Sequence, residues 1–395
     1  MTRDASLLEE CRQLQRAVEP YATLAALHAA PEWSSLAPRF NAVLARVHRY
    51  LPPGFDADAS ASEHPAPIET NPVNAVHWNI EHGNWFDLLT HSLREHPSLR
   101  DADLLMMNEV DLGMARAGNR DVTAELCGAL GRHGVWGPMF LETTLGRDDD
   151  LAAAAGRTNE ESLFGLSILS RWPIGNARVV ELPSPEALQF DLERMVGRHV
   201  ALIAEILRPG APFVAVTAHL EVHRTRAHRA AQVQAIVEAL RGERRPIVMS
   251  GDFNTHTFDR GEWHSALLAG LALLATPGPW LERRLLWPDR GPMAEPLFEI
   301  LRTAGFAWEP WVDFHPTLQL RIDRVDESRA FWLLDALAHP VVAWAGRRGK
   351  LRLDWFAGRG WPDAAAAPST RGRTLAGLDG PGKASDHAPI VAHFG

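Results

Sequence analysis

From about residue 73 onward the chain alternates short apolar runs with helical patterns, and several of the runs end in acid, amide or imidazole side chains. That alternation restricts it to folds that layer helices on sheets. Runs at 73–80, 103–110, 164–172, 199–207, 212–220, 246–250, 351–356 and 389–394 predict strands. Residues 86–99, 122–130 and 225–241 predict helices, and in the last of these Val233, Ile236, Val237 and Leu240 mark one face. Arg208-Pro209-Gly210-Ala211, set between two apolar runs, suits an antiparallel hairpin. Hairpins mixed with helices give an α/β class, and two packed sheets are the natural way to bury so many strands.

The ends of this pattern set the expected organisation. Residues 4–19 and 35–50 read as amphipathic helices, the second through Leu36, Phe40, Val43, Leu44, Val47 and Leu51, so 1–51 is an N-terminal helical extension. Prolines at 52, 53, 65, 67 and 72 mark 52–72 as a linker or surface strap. The main domain is 73–395. Within it 255–350 fits the alternation poorly, carries Trp263, Trp280, Trp287, Trp308, Trp311, Trp332 and Trp344, and reads as an insertion. With Arg260, Arg283, Arg284 and Arg290 it either roofs a site or packs as a satellite cluster.

Charge and cysteine usage narrow the function. The formal net charge of −9 weighs against a protein that grips nucleic acid over its whole surface. All basic residues except Lys350 and Lys383 are arginine, which leaves room for a local phosphate-binding groove. Cys11 and Cys127 supply neither a disulfide framework nor a cysteine zinc site. With no apolar signal segment at the N-terminus and no membrane-length apolar run, the expected setting is cytoplasmic and reducing.

Four clusters carry chemistry. The first predicted strand closes on His77-Trp78-Asn79-Ile80-Glu81-His82-Gly83-Asn84, and the next on Met107-Asn108-Glu109-Val110-Asp111. A carboxylate that follows a buried run is costly unless paired, and a hard cation with oxygen ligands would satisfy Glu81 and Glu109 together. The bland alternative is a pair of solvent-facing loop acids. Thr217-Ala218-His219-Leu220-Glu221 and Ser250-Gly251-Asp252-Phe253-Asn254 end two further strands; Asp252 and Asn254 share one side of an extended backbone. A lone histidine such as His219 is more often a hydrogen-bonded structural residue than a catalyst. Last, Lys383-Ala384-Ser385-Asp386-His387-Ala388-Pro389 precedes the final strand.

Taken in order, these clusters resemble the endonuclease/exonuclease/phosphatase superfamily, with its deoxyribonuclease-I-like fold. The stretches Phe164-Gly165-Leu166-Ser167-Ile168-Leu169-Ser170-Arg171-Trp172-Pro173-Ile174 and Leu351-Arg352-Leu353-Asp354-Trp355-Phe356 are similar to two internal strands of that family. The resemblance covers roughly 73–395 without much of 255–350, and implies a four-layered α/β sandwich of two packed mixed or antiparallel sheets flanked by helices. It implies Mg2+ or Mn2+ held by Glu109 with Glu81 and Asp386, the longer Glu81 standing where many members have Asp. Asn79 would orient the phosphate, Asp252 would align the attacking water, and Asn254 would hold the phosphoryl group or that carboxylate. His387 and His219 would contact phosphate oxygens, with Asp354 orienting and charging His387. Asp323 is a rival for the last role.

The expected activity is therefore divalent-metal-dependent hydrolysis of a phosphoester, on a phosphorylated small-molecule or lipid-like substrate. A nuclease acting on DNA or RNA is the alternative, and a catalytically silent binding protein of the same fold the second. The sequence leaves the oligomeric state open.

Overall fold

A computed structural model describes residues 4–55, 69, 71–146, 149–184, 190, 193–222, 224–255, 268, 271–320, 347–366 and 371–395. Its strands, in chain order, are β1 (His48–Tyr50), β2 (Val73–Asn79), β3 (Leu104–Leu112), β4 (His133–Glu142), β5 (Leu163–Ser170), β6 (Ile174–Glu181), β7 (Met195–Gly197), β8 (Val200–Ile206), β9 (Phe213–His219), β10 (Ile247–Asp252), β11 (Leu318–Gln319), β12 (Lys350–Leu351), β13 (Asp354–Arg359), β14 (Gly372–Thr374) and β15 (Ile390–Phe394). One sheet runs β1-β4-β5-β3-β2-β15-β14 with β7 paired to β4; the other runs β13-β10-β9-β8-β6. Strands β11 and β12 form a separate ribbon. Pairs β2·β3 and β9·β10 are parallel and the remaining ladders antiparallel, so both sheets are mixed.

Side-chain alternation explains the layering. On β3, Leu104 and Met106 enter the core between the sheets, while Leu105 and Met107 turn to the opposite face. On β10, Val248 points between the sheets, and Ile247 and Met249 point outward. Both faces are covered, which is why these strands read as continuous apolar runs rather than alternating ones. Helices Phe86–Glu95 and Val122–Leu130 cover the first sheet, and helices Arg226–Ala239 and Leu297–Thr303 cover the second. The result is the expected α/β sandwich of helices, sheet, sheet and helices.

Several boundaries differ from the sequence reading. Helix Ala5–Val18 matches 4–19, but the helix expected at 35–50 is Trp33–Leu44, and 48–50 is strand β1. Val47 and Leu51 continue the helical apolar spacing, yet β4 offers an edge with which His48, Arg49 and Tyr50 pair, satisfying their backbone groups. Leu7, Cys11, Leu14, Leu36 and Phe40 pack in the same cluster as Trp78 and Trp136, so the N-terminal segment is part of the first sheet's helical layer. The helix expected at 86–99 breaks at Pro97. The strand expected at 351–356 is interrupted, because the Arg352 amide donates to Leu285 O and the Leu353 amide to the Thr317 hydroxyl instead of to a ladder.

The region 255–350 is not a uniform insertion. Trp308 and Trp311 are fully buried in the outer and central cores of the second sheet, together with Leu297, Phe298 and Leu301. Leu273, Leu281, Leu285, Leu351 and Leu353 form the smaller satellite cluster, with Trp280 left 74% exposed. Residues 256–267 and 321–346, including Asp323, Arg260, Trp263, Trp332 and the neighbouring Trp344, lie outside the described residues. No helix among the described residues is long and apolar enough to cross a membrane.

Candidate active site

The two parallel pairs deliver their C-terminal ends to one edge of the sandwich. Asn79 is in register with Asn108 on the first sheet, and on the second Asp252 lies between His219 and the first residue of β13, Asp354. Gly251 permits this close ladder: a Cβ there would fall 2.0 Å from Ala218 O. A register shift between Met107 and Val110 marks a bulge in β3. There Asn108 turns across the sheets, accepting the Asp252 amide at 2.8 Å and donating to the Thr217 hydroxyl at 3.1 Å. Glu109 follows with φ 52 and points to the partly exposed rim.

Asn79 joins the two sheets. Its Nδ2 donates to Glu109 Oε1 at 2.9 Å and lies 3.3 Å from Asp252 Oδ2. Its Oδ1 accepts the Glu81 amide at 3.2 Å, and its carbonyl accepts the Ser385 hydroxyl at 2.6 Å. Glu81, and Asp386 beside Ser385, are therefore anchored to the strand end that holds Glu109. Left-handed backbone recurs here, at Glu81, His82, Glu109 and Asn254. Such conformations cost about 1–3 kcal/mol each and cluster where side chains are aimed for a function.

Asp252 Oδ2 lies 3.7 Å from both His219 Nε2 and His387 Nε2, and its Oδ1 accepts the Asn254 amide at 2.9 Å. Asn254 Nδ2 is occupied with Leu220 O at 2.8 Å, so this amide braces the Asp252 loop. Asp354 sits between two imidazoles: Oδ2 accepts from His387 Nδ1 at 2.8 Å and Oδ1 pairs with His77 Nε2 at 3.1 Å. Ser250 Oγ meets the other nitrogen of His77 at 3.1 Å.

Burial alone would drive His387 toward its neutral form, but the Asp354 anion and its hydrogen bond hold it well above the usual histidine range. Asp354 is displaced the other way: burial is overturned by the His387 charge and the two imidazole hydrogen bonds, which hold it far below ordinary carboxylates. Burial, with the Asp354 anion nearby, raises Asp252. His219, with less compensation from Asp252, is pulled by burial down to about 4. One imidazole facing Asp252 is thus a cation and the other neutral.

Asp252, Asp354 and His387 each offer a ligand atom within 4.8 Å of the others. A cation there would require His387 to release its proton and Asp354 its hydrogen bonds, so these three fit a relay better than a cage. Glu81, Glu109 and Asp386, the expected ligand set, do not form such a group; among the described residues only Asp252, Asp354 and His387 do. Glu109, whose side chain is 21% exposed, keeps carboxylate lone pairs at the rim that fit a hard divalent cation.

His77, Ser250 and Asn108 have no assigned role in the sequence reading. A histidine inside an apolar strand gives no local sign that it faces a carboxylate 277 residues away. Asn108, immediately before Glu109, was the more legible, since an amide in a buried run demands a partner.

The model of the "Endonuclease/Exonuclease/phosphatase family" matches residues 76–387. No curated protein matches the chain. Similar solved structures include an endonuclease/exonuclease/phosphatase from Beutenbergia cavernae, at 15% identity over 82% of this chain and 72% of that one, TM-score 0.45. The human Nocturnin catalytic domain with bound sulfate is similar at 16% identity, over 85% and 99% of the two chains, TM-score 0.42. The 3′ phosphatase NExo from Neisseria, bound to product DNA hairpin, is similar at 15% identity, over 82% and 99%, TM-score 0.45. With the family match spanning both sheets and every strand end of the site, this chain belongs to the endonuclease/exonuclease/phosphatase family.

Proposed function

We propose that the protein is a divalent-metal-dependent hydrolase of phosphoester bonds. The observation that carries this reading is the placement of Asp252 within 3.7 Å of one cationic and one neutral imidazole, with Asn79 linking it to Glu109. Glu109, with Glu81 and Asp386, would hold Mg2+ or Mn2+, which supplies Lewis-acid stabilisation of charge on the phosphoryl group.

The residues divide the remaining work. Asp252 accepts the proton of the attacking water as the water oxygen bonds to phosphorus and the bond to the leaving oxygen breaks. Its raised pKa brings it closer to the optimum for a base. His387 donates from Nε2 to a phosphoryl oxygen while Asp354 keeps Nδ1 protonated. His219, neutral, donates from Nε2 without adding charge. Its Nδ1 is buried with no acceptor, which favours the tautomer with the proton on the site side. Asn79 orients the phosphate between the sheets, and Asn254 braces Asp252.

The net charge of −9 favours a phosphorylated small-molecule or lipid-like substrate over a polyanion. Turnover of phosphomonoesters, phosphodiesters and oligonucleotides, each with Mg2+ and Mn2+, tests the reading. Hydrolysis of at least one phosphoester that chelator abolishes is expected; no hydrolysis across the panel would contradict it.

A further inference from the structure

A buried charge cluster backs onto Glu109. Arg116 is 3% exposed and forks onto Asp111, with Nε 2.7 Å from Oδ2 and Nη2 3.0 Å from Oδ1. The same guanidinium lies 2.9 Å from Glu142 Oε2 and 3.6 Å from Asp150 Oδ2. Asp150 also accepts from Asn84 Nδ2 at 2.9 Å, so the cluster grips the end of the 81–84 turn. From that turn His82 reaches back between two acids: Nδ1 lies 3.7 Å from Asp111 Oδ1, and Nε2 lies 3.6 Å from Glu109 Oε2.

We propose that His82 is a positioning residue for Glu109: backed by Asp111 and Arg116, it sets the orientation of the carboxylate that takes the divalent cation. The inference rests on the metal reading above. Glu109 is approached from both sides, Oε1 by Asn79 and Oε2 by His82. Each carboxylate oxygen has more than one acceptor direction, so this arrangement leaves lone pairs for a cation. His82 and Glu109 both hold left-handed backbone, φ 65 and φ 52, from opposite sides of the contact. His82 Nδ1 is buried without a hydrogen-bond partner, and both ring contacts exceed hydrogen-bond length by less than about 1 Å. Contacts of this kind tighten when a site is loaded. Asp111, fixed by the Arg116 fork, is the stop against which the ring closes.

The test is Mn2+ titration of the full chain by calorimetry, with thermal unfolding read on the same samples. His82→Asn keeps a residue type that tolerates left-handed backbone and is too short to reach Glu109. It should weaken Mn2+ binding by about tenfold or more, the usual effect of removing a partner behind a metal ligand, in a variant that still unfolds in one cooperative transition above the titration temperature. Asp111→Asn should weaken binding less, and the double variant should bind no worse than His82→Asn alone, because both act through one contact. Wild-type affinity in His82→Asn, or additive losses in the double variant, would overturn the inference. A wild-type chain that binds no Mn2+ would instead overturn the metal reading beneath it.

Discussion

Asp354 Oδ2 accepts the Nδ1 proton of His387 across 2.8 Å, with both side chains buried. This pair keeps an imidazolium next to Asp252. Asp354→Asn keeps the shape and removes the anion, so His387 loses its proton at lower pH. The alkaline limb of the pH–rate profile should move down into the neutral range, and turnover at pH 8 should fall by about 10²-fold. A profile superimposable on wild type would remove Asp354 from that role.

Asp252 separates activity from stability. Its carboxyl is raised by burial and by the Asp354 anion, so its ionised form is less favourable folded than unfolded. Asp252→Asn should therefore melt at the same temperature as wild type or higher at pH 7, while turnover drops by at least about 10²-fold. The acidic limb of the wild-type profile should lie above the ordinary carboxylate range, because activity is lost as pH falls through the raised value. Calorimetric melting and steady-state kinetics on one preparation check both halves.

His219 makes a signed prediction about folding. A histidine held neutral down to about 4 is protonated in the unfolded chain below about 6.5, so stability falls as pH drops through that window. The full penalty is on the order of 3 kcal/mol. Asp354, depressed far below 3.8, contributes loss only below about pH 4 and does not confuse the range. Urea unfolding at pH 7.5 and 5 should show a smaller drop for His219→Gln than for wild type; equal drops would refute the buried neutral state.

Much of the site was legible because its residues end strands that are apolar on both faces. Asp252 after Ile247–Ser250, and His219 after Phe213–Ala218, stand out against such runs. What the sequence concealed depends on contacts between distant elements. His77 looks like one more core residue until β13 brings Asp354 to it. His82 and Asp111 lie within motifs already read and Arg116 lies beyond them, but only the bulge at Glu109 and the turn at 81–84 show that they meet. Strand β4 escaped because Gly134, Gly137 and Pro138 look like breakers, although every one of its residues is buried between neighbours. Trp308 and Trp311 looked like insertion because their aromatic-rich segment lacks a strand period, yet they fill the cores of the second sheet.

On the proposed function, Glu109 and Asp252 serve one metal-dependent phosphoester hydrolysis from opposite sides of Asn79. Its most direct test is phosphate release from a turned-over phosphoester by chelator-treated protein, before and after Mg2+ or Mn2+ is restored, in wild type, Glu109→Gln and Asp252→Asn. No release is expected without metal, with recovery in wild type alone and residual rates at least about 10²-fold lower in both variants at saturating metal. Full release in the presence of excess chelator, or wild-type recovery in either variant, would contradict it.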